Sequence, residues 1–142
     1  MKRVVIDASV VLKWYLPDEE LEEHAMGLLR DSLAGRTELV APTLLEYEVV
    51  NSLVIAGRRG RIGDHVLLES VAGFVDLQIP LLSLAGLHEQ VVGYCERFRC
   101  TAYDASYLAL AASEGIPFIT ADDALVSQVK KHLSWIKRLR DL

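Results

Sequence analysis

The sequence predicts one α/β domain with a mainly parallel sheet and helices on both faces. The chain has 142 residues, a length typical of one domain, and 51% of them are apolar, which is enough for a sizeable core. Short apolar runs alternate with amphipathic stretches along the whole chain, the pattern of consecutive β–α units. Right-handed crossovers between parallel strands then place helices on both faces of the sheet.

The first half of the chain contains two predicted strands. A β-branched run gives the first strand, charges between regularly spaced leucines indicate an amphipathic helix, and a proline tolerated in a first helical turn begins the next helix. The predicted elements are a strand at Lys2–Ile6, a short helix before Pro17, a helix at Glu19–Leu33, a strand at Leu39–Ala41 and a helix from Pro42 to about Ala56.

The second half follows a glycine-flanked turn at 57–60 and continues the alternation. Glycines and short polar breaks separate its segments, as expected of element boundaries. The predicted elements are a helix at Arg61–Phe74, a strand at Leu77–Pro80, helices at Ser83–Phe98 and Tyr103–Glu114, a strand at Gly115–Ile119, a helix at Ala121–Lys131 and a last strand at Leu133–Ile136.

Charge and cysteine content exclude several classes of protein. Twenty acidic residues against 15 basic ones give a net charge of −5, so a uniformly basic nucleic-acid-binding surface is absent. No uncharged apolar run approaches the roughly 20 residues that span a bilayer, and Asp7 interrupts the apolar N-terminus, so we expect neither a membrane span nor a signal peptide. Cys95 and Cys100 are too few for a disulfide scaffold, and we expect reduced thiols in a cytoplasmic protein.

Four acidic residues are candidates for one site at the carboxyl ends of the strands, where open parallel sheets bind ligands. Asp7 ends the first strand, Asp122 follows the fourth, and Asp104 opens the helix that leads to the fourth. Glu48 lies one to two turns into the helix after the second strand. Clustered carboxylates repel one another, and Mg²⁺ or Mn²⁺ would relieve that repulsion with oxygen ligands alone. The expected reaction is hydrolysis of a phosphodiester by metal-activated water.

Each acidic residue also has a structural alternative. Asp7 could cap the following helix, and Asp104 fits a capping box that begins at Thr101. A second capping box runs from Thr120 to Asp123, which gives Asp123 a structural role and leaves Asp122 free. Glu46 and Glu48 lie about 200° apart on one helix, so at most one of them faces the site, and spacing alone does not decide which.

Four motifs in this order resemble the PIN-domain family, and specifically the VapC-type toxins of prokaryotic toxin–antitoxin pairs. Each motif is weakly specific alone, but the four together span nearly the whole chain at family-like spacing. They are Val4-Val-Ile-Asp7-Ala-Ser9 with Lys13-Trp14, Glu48-Val-Val-Asn51-Ser-Leu53 after Pro42, Tyr103-Asp104-Ala-Ser-Tyr-Leu-Ala-Leu-Ala111, and Pro117-Phe-Ile-Thr120-Ala-Asp122.

The resemblance implies a three-layer α/β/α sandwich (PIN-like) around a five-stranded parallel sheet, with residues 1–142 as a single domain. It also implies an Mg²⁺- or Mn²⁺-dependent endoribonuclease that forms a homodimer and is neutralised by a small cognate antitoxin. It favours Glu48 over Glu46, so that Asp7, Glu48, Asp104 and Asp122 are the expected metal-binding and catalytic residues.

The residues present fit the competing hypotheses less well than they fit the PIN-domain resemblance. A haloacid-dehalogenase-type phosphatase would have a second Asp where Ser9 stands, and a receiver-like domain would have an acidic pair after the first strand. A non-catalytic PIN-like module that binds RNA or a protein would not need four intact acidic residues.

Supporting residues complete the predicted site. Ser9 and Thr120 could hold a ligand or a phosphate or cap helices, and Asn51 could orient Glu48 from one turn away. RNA binding needs basic residues around the acidic site, and two groups qualify. They are Arg58, Arg59 and Arg61 in the glycine-flanked turn, and Lys130, Lys131, Lys137, Arg138 and Arg140 near the C-terminus. Trp14 and Tyr15 either belong to the core or form an apolar groove for a partner helix.

Overall fold

The computed structural model describes all residues, 1–142, and shows a three-layer α/β/α sandwich, as predicted. Five parallel strands form the central sheet in the order β3-β2-β1-β4-β5. From β1 the chain moves outward to β3 and then returns past β1 to β4 and β5. Right-handed crossovers therefore place the first four helices on one face and the last three on the other.

The strands and helices follow one another as the alternation predicted. The strands are β1 (Lys2–Ile6), β2 (Thr37–Pro42), β3 (Leu81–Leu82), β4 (Phe118–Thr120) and β5 (Ile136–Arg138). The helices are α1 (Ala8–Tyr15), α2 (Glu22–Leu33), α3 (Leu44–Arg58), α4 (Asp64–Asp76), α5 (His88–Phe98), α6 (Ala102–Glu114) and α7 (Asp123–Val129), with a 3₁₀ turn at Leu139–Asp141.

The predicted bounds of the third strand are wrong. The predicted strand Leu77–Pro80 is a helix end and a turn, because the Leu77 N–H bonds to carbonyls in the last turn of α4 and Gln78 has a left-handed backbone with φ of 50°. The strand begins only after Pro80, at Leu81. Helix termination by a left-handed residue is usually marked by glycine, and here glutamine occupies that conformation without such a signal.

The last two strands also begin later than predicted. Gly115 has φ of 66° and closes α6 together with a bond from the Ile116 N–H to the Ala111 carbonyl, so β4 starts at Phe118 rather than at Gly115. The Leu133 N–H bonds to the Val129 carbonyl in a helical turn, which delays β5 until Ile136. The prediction began both strands too early because the turns before them also contain apolar residues.

Five helices begin later than the sequence predicts, and the last of them, α7, begins at Asp123 instead of Ala121. Leu21 is left-handed and delays α2 to Glu22, Pro42 ends β2 instead of opening α3, and α4 and α5 begin only at Asp64 and His88. Helix α3 also continues to Arg58, beyond the predicted end. None of these differences changes the topology. No helix has the length and apolar character needed to cross a membrane.

The sheet order places the site. β1 is the central strand, and its fully buried Val4, Val5 and Ile6 anchor the main core. β2 and β4 flank it, and all three strands run parallel, so their carboxyl ends meet at one edge of the sheet. Asp7, the start of α3 and Thr120 therefore come together there, where α6 also packs against β1, β2 and β4.

Candidate active site

Asp7 lies at the centre of the acidic edge and is held by hydrogen bonds to both carboxylate oxygens. Its Oδ1 accepts from the Ser9 N–H at 3.1 Å and from the Ser9 hydroxyl, and its Oδ2 accepts from the Thr120 hydroxyl at 2.6 Å. The residue is only 9% exposed. Asp7 thus caps α1, as its structural alternative proposed, while it also faces the candidate site.

Ser9 and Thr120 connect Asp7 to the turn that carries Asp122. The Ser9 Oγ accepts the Ala121 N–H at 2.9 Å, and the Thr120 Oγ1 accepts the Asp122 N–H at 3.0 Å. Both hydroxyls donate to Asp7 and accept from the backbone after β4. The structure therefore gives Ser9 and Thr120 a supporting position, in which they fix the Asp7 carboxylate relative to the β4–α7 turn.

The sequence interpretation of the Asp122–Asp123 pair is corrected. The predicted capping box would make Thr120 the N-cap of α7, but the N-cap is Asp122, whose Oδ1 accepts the Leu125 N–H at 3.0 Å. Asp123 instead forms ion pairs with Arg138 at 3.5 Å and with Arg140. Asp122 is exposed, and its other carboxylate oxygen carries no hydrogen bond from the protein and is available to a ligand.

The choice between Glu46 and Glu48 is resolved by burial. Glu48 is half-buried, and its Oε1 accepts a 2.5 Å hydrogen bond from the Tyr107 hydroxyl of α6. Glu46 is exposed and lines a surface cavity with Tyr47 and Arg58 instead. Glu48 is thus the glutamate on the site's side of α3.

Asp104 lies at the start of α6 and is half-exposed. Its N–H is capped by the Thr101 hydroxyl at 3.1 Å, as the capping box predicted, and this bond leaves its carboxylate free. The carboxylate lies near Asp122, whose charge, after burial, raises the pKa of Asp104. Asp104 therefore combines a helix-start position with an unpaired acidic group at the site.

The four carboxylates influence one another electrostatically. Burial raises the pKa of Asp7 to about 6 against the lowering effect of Ser9 and Thr120, and the charges of Glu48 and Asp122 raise it further. Burial also raises the pKa of Glu48, with Tyr107 opposing it and Asp104 adding to it. Such mutual repulsion among neighbouring acidic groups is the condition that a bound cation relieves.

The donor set fits a hard divalent cation, although it is not a closed cage. No three acidic, histidine or cysteine side chains converge on one point as a complete ligand set. Mg²⁺ keeps several waters and needs only one or two carboxylates, so an open arrangement of oxygen donors is compatible with it. Histidine and thiol ligands, which would favour zinc, are absent from the Asp7–Glu48–Asp104–Asp122 group.

Tyr107 takes the role that the sequence suggested for Asn51. Asn51 is exposed on the outer side of α3, where it lines the same cavity as Glu46, and it makes no hydrogen bond to Glu48. Tyr107 makes that bond from a different helix. The sequence did contain a signal for this role, because Tyr107 lies three residues after Asp104 and therefore on the same face of the helix.

The basic candidates differ in their availability. Arg58 and Arg59 are exposed at the end of α3, whereas Arg61 is held by Glu19 at 3.1 Å and by the Pro17 carbonyl. At the C-terminus, Arg138 and Arg140 pair with Asp123, while Lys130, Lys131 and Lys137 are exposed. The exposed residues are therefore the better candidates for contacts with an anionic ligand.

Comparison with known proteins agrees with this architecture. The PIN domain family model matches residues 4–131. Ribonuclease VapC3 of Pyrobaculum aerophilum is 28% identical over 129 residues, covering 89% of this chain and 94% of the relative. Ribonuclease VapC12 of Mycobacterium tuberculosis is 30% identical over 122 residues, covering 86% of this chain and 88% of the relative.

Solved structures show the same fold. PAE2754 from Pyrobaculum aerophilum superposes with a TM-score of 0.68 at 21% identity, covering 99% of this chain and 91% of that one. VapC20 of Mycobacterium tuberculosis, described as a sarcin-ricin loop cleaving toxin, gives 0.62 at 15% identity, covering 87% of this chain and 94% of that one. With the four acidic motifs gathered at one edge of the sheet, the chain belongs to the PIN domain family and, within it, to the VapC-type proteins.

Proposed function

We propose that the protein is a divalent-metal-dependent endoribonuclease and the toxin of a toxin–antitoxin pair. The observation that carries this proposal is the gathering of Asp7, Glu48, Asp104 and Asp122 at the carboxyl edge of the sheet, where neighbouring acidic charges add to the raised pKa of Asp7, Glu48 and Asp104. Relatives named as VapC ribonucleases and the likeness to a toxin that cleaves an RNA loop support RNA as the substrate.

The chain's own residues would act mainly by holding the carboxylates in place. Asp7, Glu48, Asp104 and Asp122 would hold Mg²⁺ or Mn²⁺, directly or through water. When bound, such an ion supplies charge stabilisation at the phosphodiester and lowers the pKa of water. Ser9 and Thr120 fix both oxygens of Asp7, and the N-cap bond of Asp122 fixes one of its oxygens. This preorganisation limits the side-chain entropy lost when metal and RNA bind.

Metal removal is expected to abolish cleavage. Purified protein should cut structured RNA with Mg²⁺ or Mn²⁺, lose that activity with EDTA and regain it when metal is restored. Asp104→Asn should lose activity at every metal concentration, because it removes the charge of an unpaired carboxylate at the site. Asp64→Asn, which alters an exposed acidic residue at the start of α4, is the matched control and should cleave as wild type. Cleavage that survives both EDTA and Asp104→Asn would refute the proposed mechanism.

RNA must approach an acidic edge, so exposed bases should provide phosphate contacts. Arg58 and Arg59 are exposed, and we expect an Arg58→Ala/Arg59→Ala variant to bind RNA more weakly, with the slope of log K against log salt reduced by about 1–2. Binding should be measured in the Asp104→Asn background, so that RNA is not cut. Arg61→Ala is the matched control from the same turn, and its smaller effect follows from its pairing with Glu19. An unchanged slope in the double variant would reject this patch.

We also infer a homodimer and a small antitoxin as partners, because membership of the VapC-type proteins implies both.

The α1–α4 side offers a groove of about 450 Å³ whose apolar lining includes Trp14, Tyr15, Ile62 and Val66. Trp14 also packs α1 on α2, where its indole N–H donates to the Ala25 carbonyl at 2.8 Å. Both sequence alternatives for Trp14 and Tyr15 thus have support, and this groove is our candidate for the antitoxin. We place the protein in the cytoplasm by the same inference.

A further inference from the structure

We propose that Tyr107 is a positioning residue that fixes Glu48 for metal binding across the two helical layers. The proposal rests on the proposed function and concerns how its site is assembled. Glu48 belongs to α3 and Tyr107 to α6, and the connections of the sheet place these helices on opposite faces. Their hydrogen bond of 2.5 Å therefore joins the two layers at the edge where the acidic residues meet.

The Tyr107 ring lies in an apolar position, and Glu48 is the hydrogen-bond partner of its hydroxyl. The residue is 2% exposed, and its ring stacks on Phe118 of β4 with centroids 5.6 Å apart and planes 12° apart. Phenylalanine would fill this apolar position equally well. The hydroxyl adds a buried polar group that is costly without a partner, and the Glu48 carboxylate is the partner it has.

The bond has one direction, which determines what Glu48 can offer. The Tyr107 hydroxyl is the donor, because an ionised carboxylate oxygen can only accept. Glu48 Oε1 accepts this bond, whereas Oε2 carries no hydrogen bond from the protein, and we expect Oε2 to face the cation. Hydrogen bonds of this kind from beyond the ligand set orient carboxylate ligands in metal sites.

Tyr107 also couples Glu48 to the rest of the site. Asp104 precedes it by three residues and lies on the same face of α6, so one helix delivers both an acidic group and the hydroxyl that holds another. Phe118 beneath the ring and Thr120, which holds Asp7, are two residues apart and share one face of β4. The position of Glu48 is thus set by the same strand that sets Asp7.

The test compares Mn²⁺ affinity in metal-free protein, measured by calorimetry and by the EPR signal of free Mn²⁺. Tyr107→Phe removes only the hydroxyl, and we expect its Mn²⁺ dissociation constant to rise about tenfold. Half-maximal cleavage should need correspondingly more Mn²⁺, with an unchanged KM for RNA. Ser106→Ala is the matched control, because it removes a neighbouring buried hydroxyl of α6 that bonds only to the Ala102 carbonyl. It should leave the affinity unchanged.

A double-mutant comparison separates positioning from general loosening. Adding Tyr107→Phe to Glu48→Gln should cause no further loss of affinity, because the carboxylate it positions is already gone. Wild-type affinity in Tyr107→Phe, or an equal further loss in the Glu48→Gln background, would overturn the proposal. If wild type binds Mn²⁺ but cuts no RNA, the ribonuclease proposal fails while the affinities still decide the role of Tyr107. If wild type binds no Mn²⁺, this proposal fails.

Discussion

Asp7→Asn is expected to abolish RNA cleavage and, at the same time, to stabilise the metal-free protein by about 1–3 kcal/mol at pH 8. The pKa of Asp7 is raised from 3.8 to about 6 in the folded protein, mainly by burial. Folding therefore has to keep a charge in a poorly solvated place whenever the pH is above 6. The difference in pKa corresponds to about 3 kcal/mol, which is an upper limit because asparagine forms weaker hydrogen bonds than a carboxylate.

The pH dependence has a definite sign. Because the folded pKa lies above the unfolded one, the folded state binds more protons between pH 4 and pH 6, and wild-type stability falls as the pH rises through this interval. Asparagine removes that fall, so the advantage of the variant should be small at pH 4 and reach its full size above pH 6. Urea denaturation in EDTA at several pH values measures it.

Asp123→Asn is the control of opposite sign. Asp123 follows Asp122 directly, but the hydrogen bond from Arg140 lowers its pKa, so its charge is favoured by the fold. Its replacement should not stabilise the protein at any pH. A pH-independent difference between Asp7→Asn and wild type, or a loss of stability at pH 8, would contradict the expectation. A gain in stability on loss of a charged group is typical of functional sites, where activity opposes stability.

Order and type of the elements were predictable, and several of their ends were not. The β-branched run of β1 has the same bounds in sequence and structure, because a buried strand ended by Asp7 leaves no alternative. β3 was misplaced because a glutamine takes the left-handed conformation that glycine usually marks. Such ends depend on where backbone hydrogen bonds find partners, which periodicity does not report.

The candidate site was likewise predictable only in part. Asp7 and Asp122 follow strands directly, so topology alone predicts that they meet. Glu48 needed either the family resemblance or the structure, because the helix angle allows Glu46 equally. Tyr107 was missed as a site residue because a tyrosine among leucines and alanines is typical of the hydrophobic core. Its ring is indeed in the core, and only its hydroxyl reaches the site.

Phe118→Ala is expected to destabilise the protein by about 3–5 kcal/mol, the usual range for a fully buried phenylalanine. Phe118 is 0% exposed on β4, beside the central strand, and supports the Tyr107 ring from below. Because domains of this size are stable by only about 5–15 kcal/mol, the loss should be visible as a large drop in the urea midpoint. Val92→Ala, at an exposed position of α5, should shift the midpoint little.

Phe118→Leu separates the core from the site. Leucine restores much of the apolar volume, so we expect most of the stability to return, but it cannot restore the stacked ring beneath Tyr107. If that ring helps to hold the hydroxyl against Glu48, Phe118→Leu should weaken Mn²⁺ binding in the same direction as Tyr107→Phe. A leucine variant with wild-type Mn²⁺ affinity would confine Phe118 to the core. A leucine variant with weaker affinity would show that the acidic edge depends on packing two residues before Thr120.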